Sequence, residues 1–129
     1  MVTMKRVYEP ATSDDGYRVL VERLWPRGVS KGAAHLDAWE KGIASSDELR
    51  RWYGHDPTKW EEFQRRYEQE LKDPAAQTIL DDLAERARHG TVTLVYAARE
   101  GEISNAAVLQ RLLAQRVAGH SAKPEHVSK

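Results

Sequence analysis

The sequence predicts a single α/β domain with a small, largely parallel β-sheet covered by helices in a three-layer-like arrangement. Short apolar runs rich in β-branched residues lie near the start and late in the chain, and one-sided amphipathic helices lie between them. The chain has 129 residues, 40% of them hydrophobic, which suits one domain with one core. We expect the domain to span 1–117, and the polar, basic segment 118–129 to be a disordered tail.

The first strands are predicted before residue 40. A short strand is expected over 5–8, and a turn at 13–16 is rich in residues that tolerate left-handed backbone. The next strand is expected over 17–23, because its centre is β-branched and apolar and Pro26 stops it. Residues 36–39 fit a short edge strand.

Capping signals predict the middle helices. Ser45 and Glu48 have the spacing of a capping box, and Gly54 suits the left-handed end of the helix that follows. Two further helices begin with Asp followed by Pro, at 56–57 and 73–74. The carboxylate can accept from free amides in the first turn of the helix. Proline has no N–H, so it leaves no donor unpaired there.

The last strand and helix follow residue 90. The nearly continuous apolar run over 91–98 is typical of an inner strand covered on both faces. A charged loop over 99–102 then leads to an amphipathic helix whose cap is Ser104 or Asn105.

Donor-rich loops follow two of the predicted strands, and in open α/β sheets ligands bind beyond the carboxyl ends of strands. We predict a pocket there for a small phosphate- or carboxylate-bearing ligand. The anion-binding residues would be Arg23, Arg27, Arg99 and Asn105, with Trp25 lining the pocket. The last helix would direct its free amides toward the same edge. Alternatively, the arginines form structural ion pairs and Trp25 fills the core.

The pair His55 and Asp56 is the best candidate for acid–base chemistry. A histidine beside a carboxylate resembles a general base with an orienting group, and both residues would lie at the pocket. Asp56 is equally well explained as a helix cap alone, which leaves His55 a weak catalytic candidate.

Several kinds of site are excluded or lack support. The chain has no cysteine, which excludes disulfides, thiolate metal sites and cysteine nucleophiles. The histidines lack metal-ligand spacing, so we predict no metal site. No Walker loop, dinucleotide fingerprint or nucleophile elbow is present, and we predict no cofactor.

Charge and hydropathy bear on partners and location. The 20 basic and 20 acidic residues cancel, so the net charge gives no argument for a nucleic-acid partner. A local patch of basic residues is not excluded by the net charge. The start has no apolar signal core, and no apolar run approaches the ~20 residues that span a bilayer. We therefore expect a cytoplasmic protein with no membrane partner. The oligomeric state is left open.

Three blocks of sequence carry a family resemblance. They are Arg-Leu-Trp-Pro-Arg-Gly at 23–28, Gly-His-Asp-Pro at 54–57, and the strand and loop over 92–99 with Asn105. The chain resembles the YeaO-like proteins, a bacterial branch of the domain of unknown function 488 superfamily. The resemblance implies a compact α/β domain without an established activity. Other branches carry cysteines after the last strand, where this chain has Ala97 and Ala98.

Two functions therefore compete. The first is an enzyme or binding domain for a small anionic ligand, with His55 as acid or base. The second is a non-catalytic interaction or regulatory module that binds nucleic acid or a protein. In that case the four tryptophans, Trp25, Trp39, Trp52 and Trp60, would form a stacking surface.

Overall fold

The computed structural model describes the backbone of residues 1–122 and the side chains of 1–119. Within these residues one four-stranded sheet forms, with the strand order β1–β4–β2–β3. The strands are β1 (Val2–Arg6), β2 (Tyr17–Leu20), β3 (Ala38–Trp39) and β4 (Val92–Tyr96). All three strand pairings are parallel, which confirms the α/β fold with a parallel sheet.

Five α-helices lie in the described part of the chain. They are α1 (Lys31–Ala34), α2 (Asp47–Tyr53), α3 (Trp60–Glu70), α4 (Pro74–His89) and α5 (Asn105–Ala122). Helix α5 ends at Ala122, five residues past the domain end expected at 117. The rest of the expected tail, 123–129, lies outside the described residues.

The strand bounds differ from prediction where pairing with a neighbour decides them. Strand β1 covers Val2–Arg6 instead of 5–8, because it pairs residue by residue with the whole of β4. Strand β2 ends at Leu20 instead of 23, although the Val21 amide still donates to Val95 O at 3.0 Å. The expected edge strand exists as the two residues of β3.

The helix caps largely follow the sequence signals. Asp73 caps α4 by accepting from the amides of Ala75 and Ala76, and Gly54 ends α2 at φ 54°. The cap of α2 was predicted one residue too early. Ser46 accepts from Leu49 N at 3.1 Å, whereas Ser45 is buried against the core.

Unequal layers cover the two faces of the sheet. One face packs on α2 to α5 and supplies Val19, Val92 and Leu94, each 0% exposed. The other face, with Leu20 and Val95, is covered by α1 and the loops around it. The carboxyl edge is left for loops, and in open α/β sheets ligands bind beyond this edge.

A glycine controls how the chain enters β2. Gly16 has φ 64°, and a Cβ there would lie 2.3 Å from Thr91 O, the acceptor of the Tyr17 amide. We expect Gly16→Ala to lower the free energy of unfolding by about 2–3 kcal/mol, from backbone strain plus the clash. Gly28 has φ 75° but open space around it, so Gly28→Ala isolates the strain and should cost about 1 kcal/mol. Equal losses in urea unfolding would show that the clash contributes nothing.

Candidate functional site

A hollow of about 190 Å³ lies beyond the carboxyl ends of β2 and β4. We call it the strand-end depression. Its lining comes from four separate segments of the chain: Glu22, Ser45, Arg50, Tyr53, His55, Phe63, Ala97, Ala98, Ser104 and Asn105. A groove of about 440 Å³ adjoins it and shares His55, Ala97 and Ala98, adding Arg99 and Glu100. Parallel strands explain the convergence, since their carboxyl ends meet at one edge.

Glu22 is the half-buried acid of the depression. Its Oε2 accepts from the Ala97 amide at 3.0 Å, which joins the end of β2 to the end of β4. Burial raises the pKa of Glu22, while the Ala97 hydrogen bond and the charge of Arg50 oppose that rise. Glu22 is not among the site residues predicted from the sequence. It lies inside the strand predicted over 17–23, and the available signal was its position beside Arg23, which was selected.

Helix α2 contributes a cation and an aromatic wall. Arg50 pairs with Asp47 one turn away at 3.0 Å. The Tyr53 hydroxyl donates to Ile103 O at 2.8 Å, and its ring stacks on Phe63 with centroids 4.3 Å apart. Burial is the main cause of the raised pKa of Tyr53. The phenol is therefore a structural group, and Arg50 keeps guanidinium donors that its one ion pair does not use.

The start of α5 closes another side of the depression. The Ser104 hydroxyl accepts from Ala107 N at 3.3 Å and so acts as the cap, one of the two residues predicted. Asn105 donates from Nδ2 to Val21 O at 2.7 Å, which ties α5 to the end of β2. The Asn105 side chain also hydrogen-bonds the Tyr67 hydroxyl, so both N–H donors of Nδ2 have partners and Oδ1 is the atom left for a ligand.

His55 lies in the depression, but its predicted partner does not. His55 is exposed, has left-handed backbone at φ 58°, and lies near the Tyr53 ring at 5.9 Å. Asp56 instead caps the short 3-10 turn before α3, accepting from Thr58 N at 3.0 Å and Thr58 Oγ1 at 2.8 Å. These hydrogen bonds lower the pKa of Asp56. The capping role explains Asp56, and it is absent from the lining residues of the depression.

The predicted anion-binding residues divide into two groups. Arg99 and Asn105 lie around the two adjoining hollows. Arg23 is half-buried and donates to the carbonyl oxygens of Ser45 and Ala44, each at 3.1 Å, so its guanidinium holds a loop.

Arg27 and Trp25 are not among the lining residues of either hollow. Arg27 lies on an exposed loop and contributes its carbonyl oxygen to the hydroxyl of Tyr8 at 3.0 Å. Trp25 packs edge-on against Trp39 on the α1 side of the sheet and donates to Val29 O. Of the two roles predicted for Trp25, lining the pocket or filling the core, the structure shows packing against the core.

Arg99 is the exposed cation at the rim of the site. Within the described residues it forms no ion pair or side-chain hydrogen bond. Its neighbour Glu100 lies on the same rim, so the charge there is mixed. An unpaired guanidinium beside a hollow is available to a planar anion.

The part of the chain that the structure describes shows neither a metal-binding cluster nor a membrane-spanning helix. The side chains of residues 1–119 include no group of three or more His, Asp or Glu able to hold a metal ion. Among the same residues, no helix is long and apolar enough to cross a membrane.

Comparison with known proteins gives the family. An uncharacterized protein of Mycobacterium tuberculosis is 46% identical over 112 residues, 87% of this chain and 92% of that protein. The uncharacterized protein YeaO of Escherichia coli is 39% identical over 108 residues, 84% of this chain and 92% of YeaO. No solved structure matches. Residues 1–129 match the family model described as "Inactive DUF488-N3 subclade". The chain therefore belongs to this subclade and is a YeaO-like member of the DUF488 superfamily.

Proposed function

We propose that this protein is a non-catalytic binding domain for a small ligand that carries a carboxylate or phosphate group. The ligand occupies the strand-end depression and the adjoining groove. The observation that carries the proposal is the convergence of Arg50, His55, Arg99 and the first residues of α5 around these two hollows. Two distant stretches of the chain, 50–55 and 99–105, supply these groups, as in a binding site assembled by the fold.

The cationic groups support an anionic ligand. Arg99 has no partner within the described residues, and Arg50 uses only part of its donor capacity on Asp47. The 18-residue helix α5 directs the positive end of its dipole toward the same edge. Together these groups favour a carboxylate or phosphate over a neutral molecule of the same size.

The remaining lining groups favour binding without turnover. The hydroxyls of Tyr53 and Ser104 are held by backbone carbonyls, and Ala97 and Ala98 offer no reactive atom. His55 lacks the carboxylate that would orient it as a base, because Asp56 is a cap. The family description "inactive" agrees with this chemistry.

A tryptophan stacking surface receives less support. Each of the four tryptophans is half-buried and packs against the core: Trp25, Trp39, Trp52 and Trp60. A stacking platform for nucleic acid needs exposed aromatic faces.

The proposal is tested by titrating the full chain with inorganic phosphate, acetate and glycerol phosphate while recording amide NMR shifts. We expect shifts at 97–99 and 104–106. Arg99→Ala should weaken the binding about tenfold, since a hydrogen bond to a charged group contributes roughly 1.5 kcal/mol.

Arg27→Ala is the matched control, because Arg27 is also an exposed arginine but lies on another loop. It should leave the affinity unchanged. The proposal fails if no probe shifts these amides. It also fails if Arg27→Ala weakens binding as much as Arg99→Ala, because the effect would then not depend on the two hollows.

A further inference from the structure

We infer that the ligand is a small zwitterion, with an amino nitrogen bound by Glu22 and an acidic group bound toward Arg99. This inference rests on the proposed function and goes beyond it by naming the class of ligand. It follows from the distribution of acceptors and donors between the two adjoining hollows.

The acceptor side of the site is centred on Glu22. Its Oε2 receives the Ala97 amide, which leaves Oε1 for a ligand. Arg50 acts on Glu22 through its charge but pairs with Asp47 instead. A half-buried carboxylate with one neutral donor is poorly compensated, and a ligand ammonium would supply the missing charge.

Asn105 adds a second acceptor on the same side. Since its Nδ2 is bound to both Val21 O and the Tyr67 hydroxyl, its carbonyl oxygen is the part that a ligand can use. An anionic ligand without an N–H or O–H group could not donate a hydrogen bond to Glu22 or to this oxygen. An amino group supplies up to three donors and fits both.

The hydrogen-bond donor of the site, Arg99, lies in the adjoining groove and not in the hollow that contains Glu22. Glu22 lines only the smaller hollow and Arg99 only the adjoining groove, while His55, Ala97 and Ala98 line both. Arg50 also lines the smaller hollow and Glu100 the groove, so each hollow has one acid and one base. Because Arg50 is paired with Asp47, the order that a ligand meets is the carboxylate of Glu22 first and the guanidinium of Arg99, unpaired within the described residues, beyond it. A molecule with a nitrogen at one end and an acid at the other matches this order.

The size and the walls limit the ligand further. The depression holds about 190 Å³, less than the roughly 300–1,000 Å³ of pockets for drug-sized ligands. The rings of Tyr53 and Phe63 form an apolar wall suited to a short aliphatic chain. Because the ligand also extends into the groove of about 440 Å³, these features limit only its part beside Glu22, which we expect to be a short aliphatic chain.

The test uses the full chain with glycine, β-alanine and γ-aminobutyrate as zwitterions that differ in charge separation. Butylamine and butyrate serve as single-charge counterparts. We expect one zwitterion to bind at least about tenfold more tightly than butyrate by NMR titration, with shifts at Ala97 and Asn105. Glu22→Gln should remove that difference. Glutamine retains an oxygen that can accept from the Ala97 amide, so the loop should keep its fold, which the unperturbed NMR spectrum checks.

Glu102→Gln is the control, since Glu102 is an exposed carboxylate on the turn before α5 and lines neither hollow. It should leave zwitterion binding unchanged. If butyrate binds as tightly as every zwitterion, or if Glu22→Gln has no effect, the zwitterion inference is overturned while anion binding stands. If the simple anions also fail to bind, the proposed function falls with it.

Discussion

Asp15→Asn is expected to lower the free energy of unfolding by about 3–5 kcal/mol, the usual cost of removing one partner of a buried ion pair. Asp15 pairs with Arg18 at 2.7 Å and with Lys5 at 2.8 Å, and the side chains of Asp15 and Arg18 are only 8% and 5% exposed. The other guanidinium donors of Arg18 go to the carbonyls of His35 and Ala34. Without the carboxylate, a buried guanidinium has no counter-charge.

Urea unfolding measures this loss, and Asp14→Asn is the matched control. Asp14 is the exposed neighbour in the same 3-10 turn, and its substitution should change the unfolding free energy by less than about 0.5 kcal/mol. Similar losses for the two variants would show that the buried pair does not stabilise the fold.

The same carboxylate predicts how stability depends on pH. Burial raises the pKa of Asp15, but hydrogen bonds from Lys5, Thr12 and Arg18 outweigh it and hold the pKa well below its usual range. A lowered pKa stabilises the fold at pH values above about 3.9, the ordinary value for Asp, and this stabilisation is lost as the pH falls below it. The wild-type chain should therefore lose stability more steeply than Asp15→Asn below about pH 4.

Phe63→Ala should also cost about 3–5 kcal/mol, because the side chain is 2% exposed and its removal leaves a cavity. Its ring lies between those of Tyr53, Trp60 and Tyr67, at 4.3, 5.7 and 5.5 Å. Phe63→Leu keeps most of the volume, and we expect it to cost less than half as much. Thermal and urea unfolding of both variants check this order. A loss below about 1 kcal/mol for Phe63→Ala would mean that the neighbouring rings collapse into the space.

Local signals predicted the secondary structure well where they act within a few residues. The caps at Asp73 and Gly54 were predicted, because a cap depends on the three or four residues beside it. The continuous apolar run of β4 also indicated a central strand, and its five residues are all buried. The bounds of β1 were less well predicted, since pairing with β4 sets them.

The candidate site was predicted less completely. Three of the residues selected from the sequence, His55, Arg99 and Asn105, lie beside the hollows at the carboxyl edge of the sheet. The sequence did not indicate Glu22 or Arg50. Those two residues lie far apart in the chain and line one hollow only because α2 packs against the sheet edge.

Arg23 shows why the roles of the other site residues could not be predicted from the sequence. Its donors satisfy two carbonyls that lie more than twenty residues further along the chain. A buried polar group bonds to whichever partner the fold brings near, and that choice depends on long-range packing.

By itself, the sequence determined the α/β fold, most of its caps and the end of the sheet where polar side chains gather, because periodicity and capping act over a few residues. Only the tertiary structure decided which of those side chains hold the protein together and which line the strand-end depression. The physical reason is that a donor such as Arg23, or an acceptor such as Glu22, acquires its role from partners that folding alone brings into contact.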